Sequence, residues 1–243
     1  MNERFANLYD DDVRADAYAR LEFPGTYYLA YRDLPYIIQS HVVGKSALDF
    51  GCGAGRSTRF LRKSGFDVIG VDIAERMLER ARANDRQGDY RRIPEGSDVR
   101  FLAKKFDLVL CAFPFDNIPT FEKKVAIFES LKDVLNNSGR IINIVSSPEI
   151  YLHEWTSFST RDFPENRSAK SGQKVRIVML DVEDRRPVED ILCTDEDYQQ
   201  IYRRAGLHCI ASHRPLGKPS EPYQWVSETT IAPWVIYVLQ PLQ

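Results

Sequence analysis

Short apolar runs, each closed by glycine or a polar residue, recur through the first two thirds of the chain, and stretches with helical spacing separate them. Ala47, Leu48 and Phe50 form one run, interrupted by Asp49. Val68, Ile69 and Val71 form a second that stops at Asp72. The segments 88–93, 106–113 (FDLVLCAF) and 139–147 (GRIINIVSS) supply three more. Runs of this length read as buried strands. Between them, Phe60 and Leu61 mark a helix ended by Gly65. Met77, Leu78 and Ala81 recur at helical spacing, with Glu75, Arg76, Glu79 and Arg80 on the polar side. Phe121, Val125, Phe128, Leu131 and Leu135 line one face of a helix over 121–135, and Asn137 and Gly139 cap its end. Strands alternating with helices specify an α/β fold: a Rossmann-like open sheet with helices on both faces. Further on, 194–205 predicts a helix capped by Thr194 or Asp195 and broken at Gly206. LHCIAS and 232–239 predict a sixth and a seventh strand.

Two segments stand outside this alternation. Residues 1–44 read as an N-terminal helical cap. A helix over 10–21 begins near Asp11 or Asp12, Pro24 and Gly25 break it, and a second helix covers 34–41. The intervening FPGTYYLAY is rich in aromatics. It either packs on the sheet edge or covers a ligand site, with Tyr9, Tyr18 and Tyr28 as candidate contacts. Residues 148–192 are longer than a crossover requires. KVRIVMLDVE and RRPVEDIL predict strand, turn at 184–187, strand, and Tyr151, Trp155, Phe158 and Phe163 suit a partly apolar pocket. Long loops at this edge of a sheet usually carry function, so a lid is expected, with a packing or dimer element as the other reading. The whole of 1–243 is one domain: cap, 45–147 core, 148–192 insert, and 193–243 completing the sheet.

The most informative stretch is 46–72, SALDFGCGAGRSTRFLRKSGFDVIGVD. Gly51, Gly53 and Gly55 permit positive φ and let a ligand approach bare backbone. The helix that follows offers free N–H groups at its first turn. Asp72, ending the second strand, can accept from both hydroxyls of a ribose. The unit is therefore a nucleoside-binding half of an open sheet. A dinucleotide fingerprint wants a third glycine where Arg56 stands, and a long side chain there obstructs close helix–strand packing and a pyrophosphate.

Asp49 followed by Gly51, Gly53 and Gly55 resembles the first motif of class I S-adenosylmethionine-dependent methyltransferases, and the resemblance covers about residues 45–147. It implies that Asp49 and the loop, Cys52 included, surround the methionine end of S-adenosyl-L-methionine, and that Asp72 binds the ribose. It places Ile73 and Met77 along the adenine, and Asp89 and Tyr90 at the adenine amino group and ring. Phe113, Phe115, Asp116 and Asn117 then follow the fourth strand where cofactor and acceptor meet. It also implies that the last strand inserts antiparallel between the fifth and sixth, giving a seven-stranded sheet.

Composition narrows the picture. Hydrophobic residues make up 43% of the 243, enough for one sizeable core, and the net charge of -2 gives no electrostatic case for nucleic acid. Cys52, Cys111, Cys193 and Cys209 make no C-x-x-C pair, no metal spacing is evident, and free thiols suit the cytoplasm. Neither a signal peptide nor a membrane span is predicted. The expectation is a cytoplasmic monomer or homodimer that methylates an N, O or C atom of a small-molecule acceptor. Candidate bases are His153, Glu154, Tyr151 and Asp116. The alternatives are a nicotinamide-dependent oxidoreductase and a non-catalytic nucleoside-binding module.

Overall fold

The computed structural model describes residues 22–94 and 98–242. The helix expected over 10–21, with Asp11, Asp12, Tyr9 and Tyr18, lies outside the described residues. In chain order the strands are β1 Ser46–Phe50, β2 Asp67–Asp72, β3 Asp89–Arg92, β4 Phe106–Ala112, β5 Leu135–Ser146, β6 Phe158–Ser159, β7 Lys174–Met179, β8 Val188–Ile191, β9 Leu207–His213 and β10 Trp234–Pro241. Seven of them form one sheet in the order β3-β2-β1-β4-β5-β10-β9. Strands β1 to β5 run parallel, and β10 is antiparallel to both β5 and β9. The seven-stranded sheet with an inserted last strand is as the resemblance implies.

Each central strand is buried on both faces, as a covered parallel sheet requires. Leu108 and Leu110 of β4 join Ala47, Ile142 and Trp234 in one core layer, while Val109 and Cys111 join Leu48, Ile141 and Val235 in the other. The helices are α1 Gly25–Arg32, α2 Leu34–His41, α3 Arg56–Lys63, α4 Glu75–Asn84, α5 Phe121–Asp133 and α6 Asp195–Arg204. Thr120 and Thr194 cap α5 and α6, each accepting from the amide three residues on. Helix α5 stops short of its expected end. Leu135 already pairs with Phe106, so Asn137 and Gly139 sit in an irregular start of β5 and cap nothing.

A second difference concerns the aromatic segment FPGTYYLAY, read as a link between two helices: Pro24 and Gly25 start a helix there, α1. Pro24 is extended and precedes the first turn, where its missing N–H costs nothing. Gly25 has φ +48, and a Cβ there would lie 2.3 Å from Ser157 Oγ. The insert is built as expected from its pattern: β7 pairs antiparallel with β8, and β6 adds a third strand. One buried carboxylate ties the periphery together. Glu228, fully buried, accepts from Thr26 Oγ1 at 2.6 Å and the Thr156 amide at 2.8 Å, and its second oxygen accepts from the Val226 amide at 2.8 Å.

Candidate active site

A cavity of about 250 Å³ opens where β1, β2, β4 and β5 end, the edge at which open α/β sheets bind ligands. Gly51, Cys52 and Gly53 form one wall with Asp72, Ile73, Met77 and Ile93. Tyr27 and Tyr31 of α1 close one side. Ile177, Met179, Val188 and Asp190 of the insert face Phe113, Asp116 and Asn117. Among the described residues no helix is long and apolar enough to cross a membrane, and no group of three acidic, His or Cys side chains is placed to hold a metal.

The glycine loop divides by function. Gly51 and Gly53 have φ +71 and +52 and line the cavity. A Cβ on Gly53 would meet only Met77 Cε, at 3.2 Å, so the loop backbone is bare on that side. Gly55 is different: it has φ +82 at the start of α3, and a Cβ there would lie 2.6 Å from the Tyr90 hydroxyl. It serves the packing of α3, outside the cavity lining. The Asp72 carboxylate is fixed by two backbone amides, Gly53 to Oδ2 and Ala74 to Oδ1, each at 2.8 Å. Arg56 joins the lining with its guanidinium 4.7 Å from the Tyr27 ring centroid, and donates to the Glu22 carbonyl at 2.6 Å.

Several expected contacts lie elsewhere. Asp49 is fully buried beneath the loop and absent from the lining. Its Oδ2 accepts from Ser57 Oγ at 2.7 Å and Thr58 Oγ1 at 2.5 Å, which anchors the first turn of α3. Oδ1 is buried with no partner among the described residues, and burial pushes the carboxyl up to about 6. Asp89 pairs in register with Ile69, while Arg92 pairs with Asp72 at the sheet edge. Asp89 is thus three residues short of that edge, exposed, and bonded to Arg91. Tyr90 turns to the opposite side and packs with Cys52, Leu78 and Ala81, its hydroxyl donating to Asp85 at 3.2 Å. At β3 it is Ile93 that reaches the cavity. His153 also falls outside the lining: its side chain is 38% exposed and pairs with Glu149. Glu154 accepts from Ser159 Oγ and the Thr160 amide, likewise outside.

Asp116 and Tyr151 do reach the cavity, in company that local sequence pattern did not reveal. Phe113 adopts φ +71, uncommon for an aromatic residue, and turns the chain into the short helical turn Pro114–Asp116. Asp116 there accepts from the Ser146 amide at 3.1 Å and from Ser146 Oγ at 2.8 Å. Asp190 of β8 accepts from the Tyr151 hydroxyl at 3.0 Å and from Asn117 Nδ2 at 2.6 Å. Burial, then repulsion from Asp190, pushes Asp116 up to about 7, and burial pushes Asp190 up to about 6. Lys124 of α5 lies behind them, 2% exposed and bonded to the Phe115 carbonyl, its pKa lowered by burial.

Residues 47–139 match the family model described as a methyltransferase domain. Over that stretch the chain is similar to class I S-adenosylmethionine-dependent methyltransferases. The chain is 28% identical over 118 residues, 46% of its length and 48% of the relative's, to the ubiquinone biosynthesis O-methyltransferase of Acinetobacter baylyi. It spans about half the length of the curated relatives it matches. The methyltransferase fold extends over nearly the whole chain. A S-adenosylmethionine-dependent methyltransferase from Clostridium acetobutylicum superposes with TM-score 0.59 and 16% identity, covering 98% of each chain. The CcbJ methyltransferase from Streptomyces caelestis gives TM-score 0.64 and 14% identity, covering 91% of this chain and all of that one. S-adenosyl-L-methionine is the cofactor that this likeness implies. The bare backbone of Gly53, the fixed Asp72 carboxylate and the apolar patch of Ile73, Met77 and Ile93 fit its polar and purine parts.

Proposed function

We propose that the chain is an enzyme that methylates a nitrogen, oxygen or carbon atom of a small-molecule acceptor. One observation carries this reading: a single cavity runs from the glycine loop and Asp72 to Asp116, Tyr151 and Asp190. A nucleoside and a second ligand thus share one partly enclosed space. In this reading Asp72 holds the ribose hydroxyls, Ile73, Met77 and Ile93 flank the adenine, and Gly51 to Gly53 lie against the methionine portion. Arg56, held over Tyr27, faces the methionine carboxylate. Bound S-adenosylmethionine supplies an electrophilic methyl group on a sulfonium. The protein aligns the acceptor with it and excludes water, which the aromatic and aliphatic walls from α1 and the insert favour. In this reading Asp116 or Tyr151, both in the cavity lining, handles the acceptor proton, and His153, outside the lining, does not.

The curated relatives' name favours an oxygen acceptor as a second reading, yet their match spans less than half of this chain. A nicotinamide cofactor fits poorly, because Arg56 fills the position that a pyrophosphate would approach. Calorimetry with S-adenosylmethionine and with NAD separates these classes: saturable binding of the first and none of the second is expected. Transfer of labelled methyl groups into a metabolite extract tests catalysis. S-adenosylmethionine binding without any transfer would leave a non-catalytic binding module.

A further inference from the structure

The insert side of the cavity has a chemistry of its own. Asp116 and Asp190 are 7% and 8% exposed, so both carboxyls are withdrawn from solvent, and both line the cavity. Ser146, Tyr151 and Asn117 turn donors toward them, at 2.8, 3.0 and 2.6 Å. The acceptor oxygens that face the cavity are those of the two carboxylates, which line it and whose lone-pair sites outnumber these donors. The walls around them, Ile118, Ile150, Ile177 and Val188, are apolar. Two carboxyls in such surroundings need positive charge nearby. Lys124 provides one cation from behind, but it is turned to the Phe115 carbonyl and is not part of the lining. Arg56 lines the cavity from the start of α3, held over the Tyr27 ring beside the glycine loop.

We infer that the acceptor is an amine with an apolar substituent, which enters as its ammonium ion and is held by Asp190 and deprotonated by Asp116. This rests on the methyltransferase reading and names its substrate class. An ammonium brings both the missing charge and two or three N–H donors for the exposed lone pairs. A phenol or alcohol brings a single donor and no charge, and an anionic acceptor meets two carboxyls. The assignment of roles follows the hydrogen bonds. Asp190, with donors from Tyr151 and Asn117, stays ionised and anchors. Asp116, next to it, takes the proton.

The step balances. The ammonium gives one proton to the Asp116 carboxylate and becomes a neutral amine with a free lone pair. That pair forms the new carbon–nitrogen bond as the carbon–sulfur bond breaks and its electrons remain on sulfur. The product is a methylated ammonium ion and a neutral thioether. Around the carboxyls, Tyr151 and Tyr198 have hydroxyls raised by burial, and Cys193 is pushed up to about 12, so all three stay neutral at physiological pH. The groups left to titrate near neutrality are the two carboxyls, with Lys124 lowered beside them.

The test uses the full chain saturated with S-adenosylhomocysteine, and compares binding of phenethylamine, 2-phenylethanol and 4-ethylphenol. The amine is expected to bind roughly tenfold or more tightly than either neutral probe. Asp190→Asn and Asp116→Asn should each reduce that preference, with S-adenosylhomocysteine affinity and melting curves reporting that the variants are folded. In methyl-transfer assays with the amine, kcat/KM should rise as pH passes about 7, and the Asp116→Asn profile should lose that limb. An amine affinity no better than the alcohol's, with failure of every probe included, overturns the proposal, as does a preference that survives in both variants. Methylation of the phenol in preference to the amine overturns the substrate class and keeps the methyltransferase. Absence of S-adenosylhomocysteine binding removes both.

Discussion

Gly53 donates its amide to the Asp72 carboxylate at 2.8 Å, which locks the glycine loop to the end of β2. The same carboxylate takes the Ala74 amide, so its direction is set before any ligand arrives. A carboxylate preoriented in this way loses little freedom on binding. Asp72→Ala should therefore weaken S-adenosylmethionine binding by roughly 1.5–3 kcal/mol, about ten- to a hundredfold. Calorimetry on the folded variant checks it; an unchanged dissociation constant would take Asp72 out of the ribose role.

Gly53 and Gly55 should fail in different ways. Both have left-handed backbone, where an L residue costs roughly 1–2 kcal/mol. A side chain at Gly53 points at open space bounded by Met77, whereas one at Gly55 strikes the Tyr90 ring. Gly53→Val is expected to lose cofactor binding at least as a tenfold change, with a smaller loss of melting temperature than Gly55→Ala. Normal binding by Gly53→Val would reduce the loop to a mere turn.

Asp49 makes a pH prediction. Burial raises it to about 6 in the folded chain, above the ordinary carboxylate value. Between about 4 and about 6 the folded state then binds more protons than the unfolded one, so this group's contribution to stability falls as pH rises through that window. The full excursion is on the order of 3 kcal/mol. Asp116 and Asp190 are shifted in the same direction. Comparison with Asp49→Asn isolates one residue: relative to that variant, the unmodified chain should lose stability from pH 4 to 6.5. A constant difference across the range contradicts it.

Residues 148–192 should gain protection from hydrogen exchange when cofactor and acceptor are bound together. The hairpin already contributes Ile177, Met179, Val188 and Asp190 to the cavity wall. A bound acceptor would bridge it to the strand ends, and closure of such elements often limits turnover. Equal exchange in the free, cofactor-bound and ternary states would leave the insert as static scaffold.

What was legible in the sequence follows from range. The strand runs, the helix faces around Met77 and Phe128, and the hairpin near 184–187 are written in local periodicity, and the structure repeats them. The cavity lining was legible only where chain order implies spatial order: Asp72 ends its strand, Phe113 and Asp116 follow theirs, and all three line the cavity. Asp89 misleads because register, which depends on tertiary pairing, sets β3 with Ile69 opposite it. His153 lies close to the end of β5 in sequence, but the turn that carries it faces Glu149 and solvent. Asp190 had no local signature at all. It is one polar residue in an alternating strand, and its significance comes from Asn117 and Tyr151, distant in the chain.

Glu228 bears on how anything enters. Its carboxylate holds Thr26 of α1, Thr156 of the insert and Val226 of the final loop. The two sides of the cavity roof are thereby stapled to one point, away from the chemistry. Thr156 leads into β6, which pairs with β7, so the staple ties the aromatic helix to the insert's small sheet as well as to the final loop. Because α1 and the insert both line the cavity, loosening that one carboxylate is felt on both of those walls at once.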